Sequence, residues 1–286
     1  MVEKRKKTKE LEPQWYASPT NIPDYNYKVY YMSALEKILY FMLAFAAGAA
    51  VGYLFYGGIG KDEYGDPTTV TKLLDILIPG IVGILAGKMF VPVRNSQIID
   101  KNRRKLNSQF RDMLEAFTTS LGAGKNVRDS FKSVYDDLKV QYDEEAFILK
   151  ELEIIIDGMN NNVDVEELLM DFGIRSGNDD IYSFANVFKI SFRKGGNIKD
   201  TIRNTHEILN DKMEINEDIE TIVTSNKTEQ NIMILMPIAL IAMIKMISAD
   251  FAANFTTPIG IISTTIAVIM FVAAYFIGRA ILNIKV

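Results

Sequence analysis

Cysteine is absent from the 286 residues, and there is one histidine, His206. Without cysteine there is no disulfide scaffold, cysteine-ligated zinc, iron–sulfur ligation or thiol nucleophile. One histidine argues against a His-rich metal site and against the usual catalytic triad. Proline is scarce too: of eight, none lies between 93 and 236, so long helices can run there unbroken. The net charge of −4 gives no excess of basic residues, so nucleic acid is not an expected partner.

Charge is missing locally as well. None occurs between Lys37 and Lys61, and none between Asp250 and Arg279. About 20 apolar residues span a bilayer core. The first stretch therefore predicts a span over about 38–57. Small residues at Ala46, Ala47, Gly48, Ala49, Ala50 and Gly52 would let another helix approach closely. A second span is expected over about 73–93, where Asp75 and Lys88 bracket an uncharged run, as the return leg of a hairpin. A third, over about 231–249, is interrupted by Pro237 and Lys245, and a fourth covers about 259–279.

Lys and Arg set the orientation. Lys4, Arg5, Lys6, Lys7 and Lys9 precede the first span; Arg94, Lys101, Arg103, Arg104 and Lys105 follow the second; Arg279 and Lys285 follow the fourth. The connections within the two hairpins are poor in both. Four spans then place both termini and the central region in the cytoplasm, in a multi-pass cytoplasmic (inner) membrane protein. Residues 1–35 read as a loose basic arm, 36–94 and 231–286 as membrane hairpins, and 95–230 as a charged helical domain.

That domain contains a repeat, about 106–138 and 177–209. Phe110-Arg-Asp-Met-Leu-Glu-Ala-Phe-Thr-Thr-Ser-Leu-Gly-Ala-Gly-Lys-Asn-Val-Arg-Asp-Ser-Phe131 matches Ile181-Tyr-Ser-Phe-Ala-Asn-Val-Phe-Lys-Ile-Ser-Phe-Arg-Lys-Gly-Gly-Asn-Ile-Lys-Asp-Thr-Ile202 at an offset of 71. Phe110, Met113, Phe117 and Leu121 form one helical stripe, as do Ile181, Phe184, Phe188 and Phe192. Gly124, or Gly195 and Gly196, would end the helix where positive φ is needed. Asn126 or Asn197 would cap the next one. A Walker A loop is not the reading of Gly-Ala-Gly-Lys-Asn, which follows a helix, lacks the first glycine and has Asn after Lys. The expected fold is all-α: a polytopic membrane protein with four transmembrane helices and a cytoplasmic pseudo-twofold helical bundle of about six helices.

Four groups of charged residues are candidates for function. From 136 to 171 there are twelve acids against Lys139 and Lys150. Asp143, Glu144, Glu145, Glu151, Glu153, Glu166 and Glu167 could form a docking face for a basic partner, or a solvated helix face; they show no EF-hand spacing. Arg193 and Lys194 sit at the second turn, as helix-end charges or partner contacts. Arg103, Arg104 and Lys105 suit lipid contact. Asp75, Lys88 and Lys245 are charges within spans, where charge is costly; Asp75 and Lys245 could pair, and Lys88 could snorkel. His206 reads as a helix-surface residue, since a span and not an ATP-binding domain follows it.

Span, span, repeated helical domain, span, span, with Phe184-Ala-Asn-Val-Phe-Lys-Ile-Ser-Phe-Arg-Lys-Gly-Gly-Asn-Ile-Lys-Asp-Thr-Ile-Arg in the second copy, resembles the type II secretion system F domain family. It is most like the TadB/TadC branch of Tad (Flp) pilus assembly proteins. The resemblance covers roughly residues 100–250. It implies a non-enzymatic platform protein without cofactor or catalytic residues. Such a platform couples a secretion ATPase to pilin subunits and works with itself or a paralogous platform protein. By the same resemblance, Lys88 or Lys245 could receive an acidic residue of a pilin. A small transporter or channel is the alternative, and a receptor is disfavoured by the short outer turns.

Overall fold

The computed structural model describes residues 12–17, 23–62, 66–194 and 197–282. It is all-α apart from one short hairpin, β1 (Trp15–Ala17) against β2 (Pro23–Tyr25), antiparallel with Trp15 opposite Tyr25. The helices are α1 (Ala34–Tyr56), α2 (Thr69–Gly122), α3 (Val127–Gln141), α4 (Phe147–Asn160), α5 (Val165–Ser176), α6 (Asp179–Arg193), α7 (Ile198–Ile247), α8 (Ala249–Asn254) and α9 (Pro258–Leu282). They fall into two units. One holds residues 1–31 and 95–213, the other 32–94 and 214–286.

In the first unit the repeat stripes become the core. Phe110, Met113 and Phe117 are buried, and so are their counterparts Ile181, Phe184 and Phe188. Phe131 and Ile202, also 71 apart, are equally buried. Phe110 lies edge-on to Phe184 at 5.4 Å and to Phe172 of α5 at 6.1 Å, so the two copies and α5 share one aromatic cluster. Each such ring, fully buried, contributes about 1.5–3 kcal/mol. Asn178 Nδ2 donates to Asn107 Oδ1 at 2.9 Å, and these two also stand at equivalent positions of the repeat. α3 and α4 follow the first copy, and α4 buries Ile148, Leu152, Ile155 and Met159 on one face.

In each copy an asparagine caps the helix that follows the turn. α2 stops at Gly122, Gly124 has φ +86°, and Asn126 Oδ1 accepts from Asp129 N at 2.8 Å. α6 stops at Arg193, and Asn197 Oδ1 accepts from Asp200 N at 3.4 Å. Gly195 and Gly196 lie outside the described residues.

The N-terminal arm, expected to be loose, is packed in its described part. Tyr27 is 2% exposed and belongs to the core cluster, while Asp24 and Asn26 are buried. Aromatic contacts carry this docking: Tyr25 stacks on Phe147 at 6.3 Å and Tyr27 meets the same ring edge-on at 5.4 Å. The rest of the arm, with Lys4 to Lys9, lies outside the described residues.

In the second unit α1 and α2 pack at glycine. A Cβ on Gly48 would stand 2.7 Å from Ala86 Cβ, and one on Gly83 would stand 2.8 Å from Phe45 O. That closeness maximises contact in a setting where helix association draws little on the hydrophobic effect. Tyr56 and Thr265 hydroxyls share a hydrogen bond of 3.1 Å between α1 and α9, and Gln230 Nε2 donates to Tyr275 O at 3.3 Å between α7 and α9. Apolar side chains cover the outside, Ile76 (77% exposed) and Ile259 (79%) among them. Among the described residues four helices, α1, α2, α7 and α9, are long and apolar enough to cross a membrane.

Two of them exceed their expected spans. α2 runs unbroken from Thr69 through Pro79 and Pro92 to Gly122, and α7 runs through Pro237 for 50 residues. The shift from apolar to charged near Arg94 marks a change of surroundings. It is not a helix stop, because no cap or glycine turn occurs until Gly122. The third-to-fourth connection also holds a helix, α8, capped by Ser248.

Candidate functional site

The acidic stretch divides by helix phase. Asp136, Asp137, Asp143, Glu144, Glu145, Glu153 and Glu167 are exposed. Glu144 pairs with Lys139 at 3.2 Å. Glu145 pairs with Lys150, whose hydrogen bond and charge hold that carboxyl below the ordinary carboxylate range. Glu153 accepts from Tyr135 Oη at 3.3 Å. All but Glu167, which lies on α5, form a rim along α3, α4 and the turn between them.

Glu151 and Glu166 do not belong to that rim, which corrects the expectation that they join a docking face. Glu151 is 1% exposed and Glu166 is 5% exposed. Glu151 lies three residues after Ile148 and four before Ile155, on the buried stripe of α4. Glu166 shares the buried side of α5 with Leu169 and accepts from Arg193 Nε at 3.0 Å. Arg193 is therefore committed to a structural pair, while Lys194 is exposed.

Around Glu151 is a buried ionic cluster that reading the sequence by charge count misses. Arg175 is 2% exposed, and its two terminal nitrogens fork onto Glu151 at 2.9 and 2.7 Å. Its Nε lies 2.6 Å from Asp171 Oδ2 and 3.7 Å from Asp24 Oδ2. Nη1 also donates to Tyr25 O at 3.0 Å, and Tyr27 Oη donates to Glu151 Oε1 at 2.8 Å. Burial alone would depress the Arg175 pKa, but hydrogen bonds and charge from Glu151, then from Asp171, raise it above the ordinary arginine value. Burial, then the Glu151 charge, pushes the Tyr27 hydroxyl well up. A planar five-donor fork is the side chain able to satisfy so many acceptors at once. The cluster clamps the hairpin segment to α4 and α5. The signal was available: Glu151 and Arg175 both fall on apolar helical stripes, and Tyr25 and Tyr27 lie in an aromatic-rich arm.

The membrane-helix charges do not pair with one another, contrary to expectation. Asp75 Oδ1 accepts from Gly58 N at 2.7 Å, closing the turn after α1. Lys245 Nζ donates to Leu54 O at 2.6 Å and lies 4.2 Å from the Phe255 ring centre. Both charges thus serve the C-terminal end of α1, Lys245 at carbonyls that favour a cation and Asp75 at the turn amide. Their carboxylate and ammonium are spent on backbone groups that the helix end leaves unmatched. Lys88 projects from an exposed position on α2. Of the juxtamembrane basic residues, Arg103 donates to Gly177 O and Lys105 lies 5.8 Å from the Phe147 ring centre. His206 is partly buried on α7.

Chemically, this is a set of charged surfaces and clamps. Among the described residues no group of three metal-ligating side chains is arranged to hold an ion. The carboxylates of Asp24, Glu151 and Asp171 are gathered around the Arg175 guanidinium. No protein-family model, curated protein or solved structure matches the chain.

Proposed function

We propose that this is a platform protein of a pilus assembly or type II secretion-like machine in the cytoplasmic membrane. It holds both termini and its helical unit in the cytoplasm, and couples a secretion ATPase to the insertion of pilin subunits. The observation that carries the reading is the repeat. Two copies 71 residues apart bury equivalent residues, and Asn107 meets its own counterpart, Asn178, at 2.9 Å. Equivalent residues touch where a two-fold-like axis passes. A paired repeat between two apolar hairpins is what resemblance to the type II secretion system F domain family implies, the TadB/TadC branch above all.

Mechanical coupling gains support from α2 and α7. Each is a single helix that carries both apolar and charged stretches. The acidic rim supplies a surface for a basic motor, in the form of exposed Asp136, Asp137, Asp143, Glu144, Glu145 and Glu153. Lys245 anchors α1, so its first role is structural, ahead of receiving a pilin carboxylate. Co-purification of the full chain with the host's secretion ATPase tests the reading. Retention of the ATPase is expected; a folded, membrane-inserted chain that retains none contradicts it.

A further inference from the structure

Helix α7 carries two apolar stripes, and only one is covered. Ile202, Leu209 and Val223 form the covered stripe, at 1%, 3% and 9% exposure. Roughly a third of a turn away lie Ile208, Ile215 and Ile222, at 66%, 59% and 63%. Their spacing is seven residues, and partly buried Ile219 falls between the last two. Acids border the stripe at Asp211 and Asp218, so it does not suit lipid. Isoleucine every seventh residue on an exposed helix face fills one of the two positions of a coiled-coil seam, and Ile219 fills the other in the middle heptad.

We propose that this stripe pairs in parallel with α7 of a second copy of the chain. The inference rests on the reading of α7 as a helix that continues into the membrane, and not on the identity of motor or filament. Copies in one membrane point the same way, so their α7 helices can meet only in parallel. With the three isoleucines at d positions, the a positions are Lys212, Ile219 and Asn226. Lys212 is drawn off the seam by Asp180, at 2.8 and 3.0 Å. Asn226 is the polar a residue that sets register. In the parallel pair Asp211 faces Asn216 of the second copy, and no flanking positions bring like charges together across the seam. A partner chosen by charge would need basic flanks; a second copy needs none.

The absence of cysteine makes the test direct, because each single-cysteine variant reports alone. The full chain is oxidised in membranes with Ile208→Cys, Ile215→Cys or Ile222→Cys, beside Asn210→Cys and Thr224→Cys on the opposite side of α7. The seam variants should form same-residue dimers several-fold faster than the controls, since only facing seam positions bring sulfurs within disulfide reach. Adding I215D and I222D to I208C should abolish its dimer; both are exposed, so the charges leave the folded chain intact. Equal rates at all positions, or no dimer from an inserted chain, overturns the pairing and leaves the platform reading standing. A dimer from I215C alone, with I208C and I222C cross-linking only when the two chains are mixed, means antiparallel helices and overturns it too. Extraction of the chain by alkaline carbonate overturns the membrane reading and, with it, the reason for parallel pairing.

Discussion

Replacing Arg175 with Met tests whether the buried cluster holds the N-terminal hairpin in place. Met keeps much of the length and apolar stem but removes the fork. Glu151 loses bonds of 2.9 and 2.7 Å, Tyr25 O loses one of 3.0 Å, and Asp24 loses its neighbouring cation at 3.7 Å. Glu151 and Asp24 are each 1% exposed, so water cannot replace what is lost. Removing one partner of a buried ion pair costs about 3–5 kcal/mol. Against a typical stability of about 5–15 kcal/mol, that is a large share. Glu151→Gln should cost less, about 1–3 kcal/mol, because the amide oxygen still accepts from Tyr27. Trp15 is the single tryptophan and lies 5.2 Å from Tyr25, edge-on, so its emission reports the hairpin. Denaturant unfolding of the full chain in detergent, followed by Trp15 and by circular dichroism, should show the Trp15 transition moving earliest in Arg175→Met. A change within about 0.5 kcal/mol, as for an ordinary surface substitution, would refute the reasoning.

Two further substitutions probe other parts of the fold. Gly83→Ala should destabilise the α1–α2 hairpin by about 1–3 kcal/mol, because its Cβ would stand 2.8 Å from the Phe45 carbonyl oxygen. Gly80→Ala meets nothing within 4 Å and should be neutral or stabilising; equal thermal stability of the two variants in detergent would contradict the close packing. Burial, then the hydrogen bond to Asp112, pushes Tyr142 up to about 12. A raised value favours the neutral folded form, so this contribution is whole below the ordinary tyrosine value of about 10 and is lost as pH rises from there to about 12. Unfolding measured across that window should show a shallower loss of stability in Tyr142→Phe, and an unchanged slope would count against the cause given.

Much of the helical architecture is written in local patterns. The repeat stripe Phe110, Met113, Phe117 and its counterpart are recognisable from spacing alone, since one buried helix face needs apolar residues every three or four positions. The apolar runs of α1 and α9 are equally plain, being free of charge. Other features depend on contacts distant in sequence. Tyr27 meets Glu151 across 124 residues, and no local signal fixes that pairing. Tallying acids from 136 to 171 obscures Glu151 and Glu166, whose phase on α4 and α5 turns them inward. Opposite charges at Asp75 and Lys245 suggest a pair, yet the unmatched backbone groups at the end of α1 offer each a partner. A composition change at Arg94 suggests a boundary, but α2 meets neither a cap nor a glycine between Arg94 and Gly122.

The proposed platform role requires the helical unit to receive a motor, and the acidic rim is the surface offered for it. Binding of the host's secretion ATPase to the full chain in detergent or lipid discs tests it most directly. The comparison variant neutralises Asp136, Asp137, Asp143, Glu144, Glu145 and Glu153 as Asn or Gln; all six are exposed, so the fold should survive. The account predicts that the parent binds, that binding weakens as salt screens the exposed charges, and that the neutralised chain loses it. A folded parent chain that fails to bind the ATPase at any ionic strength would contradict the account. Binding indifferent to both salt and neutralisation would remove the acidic rim from it.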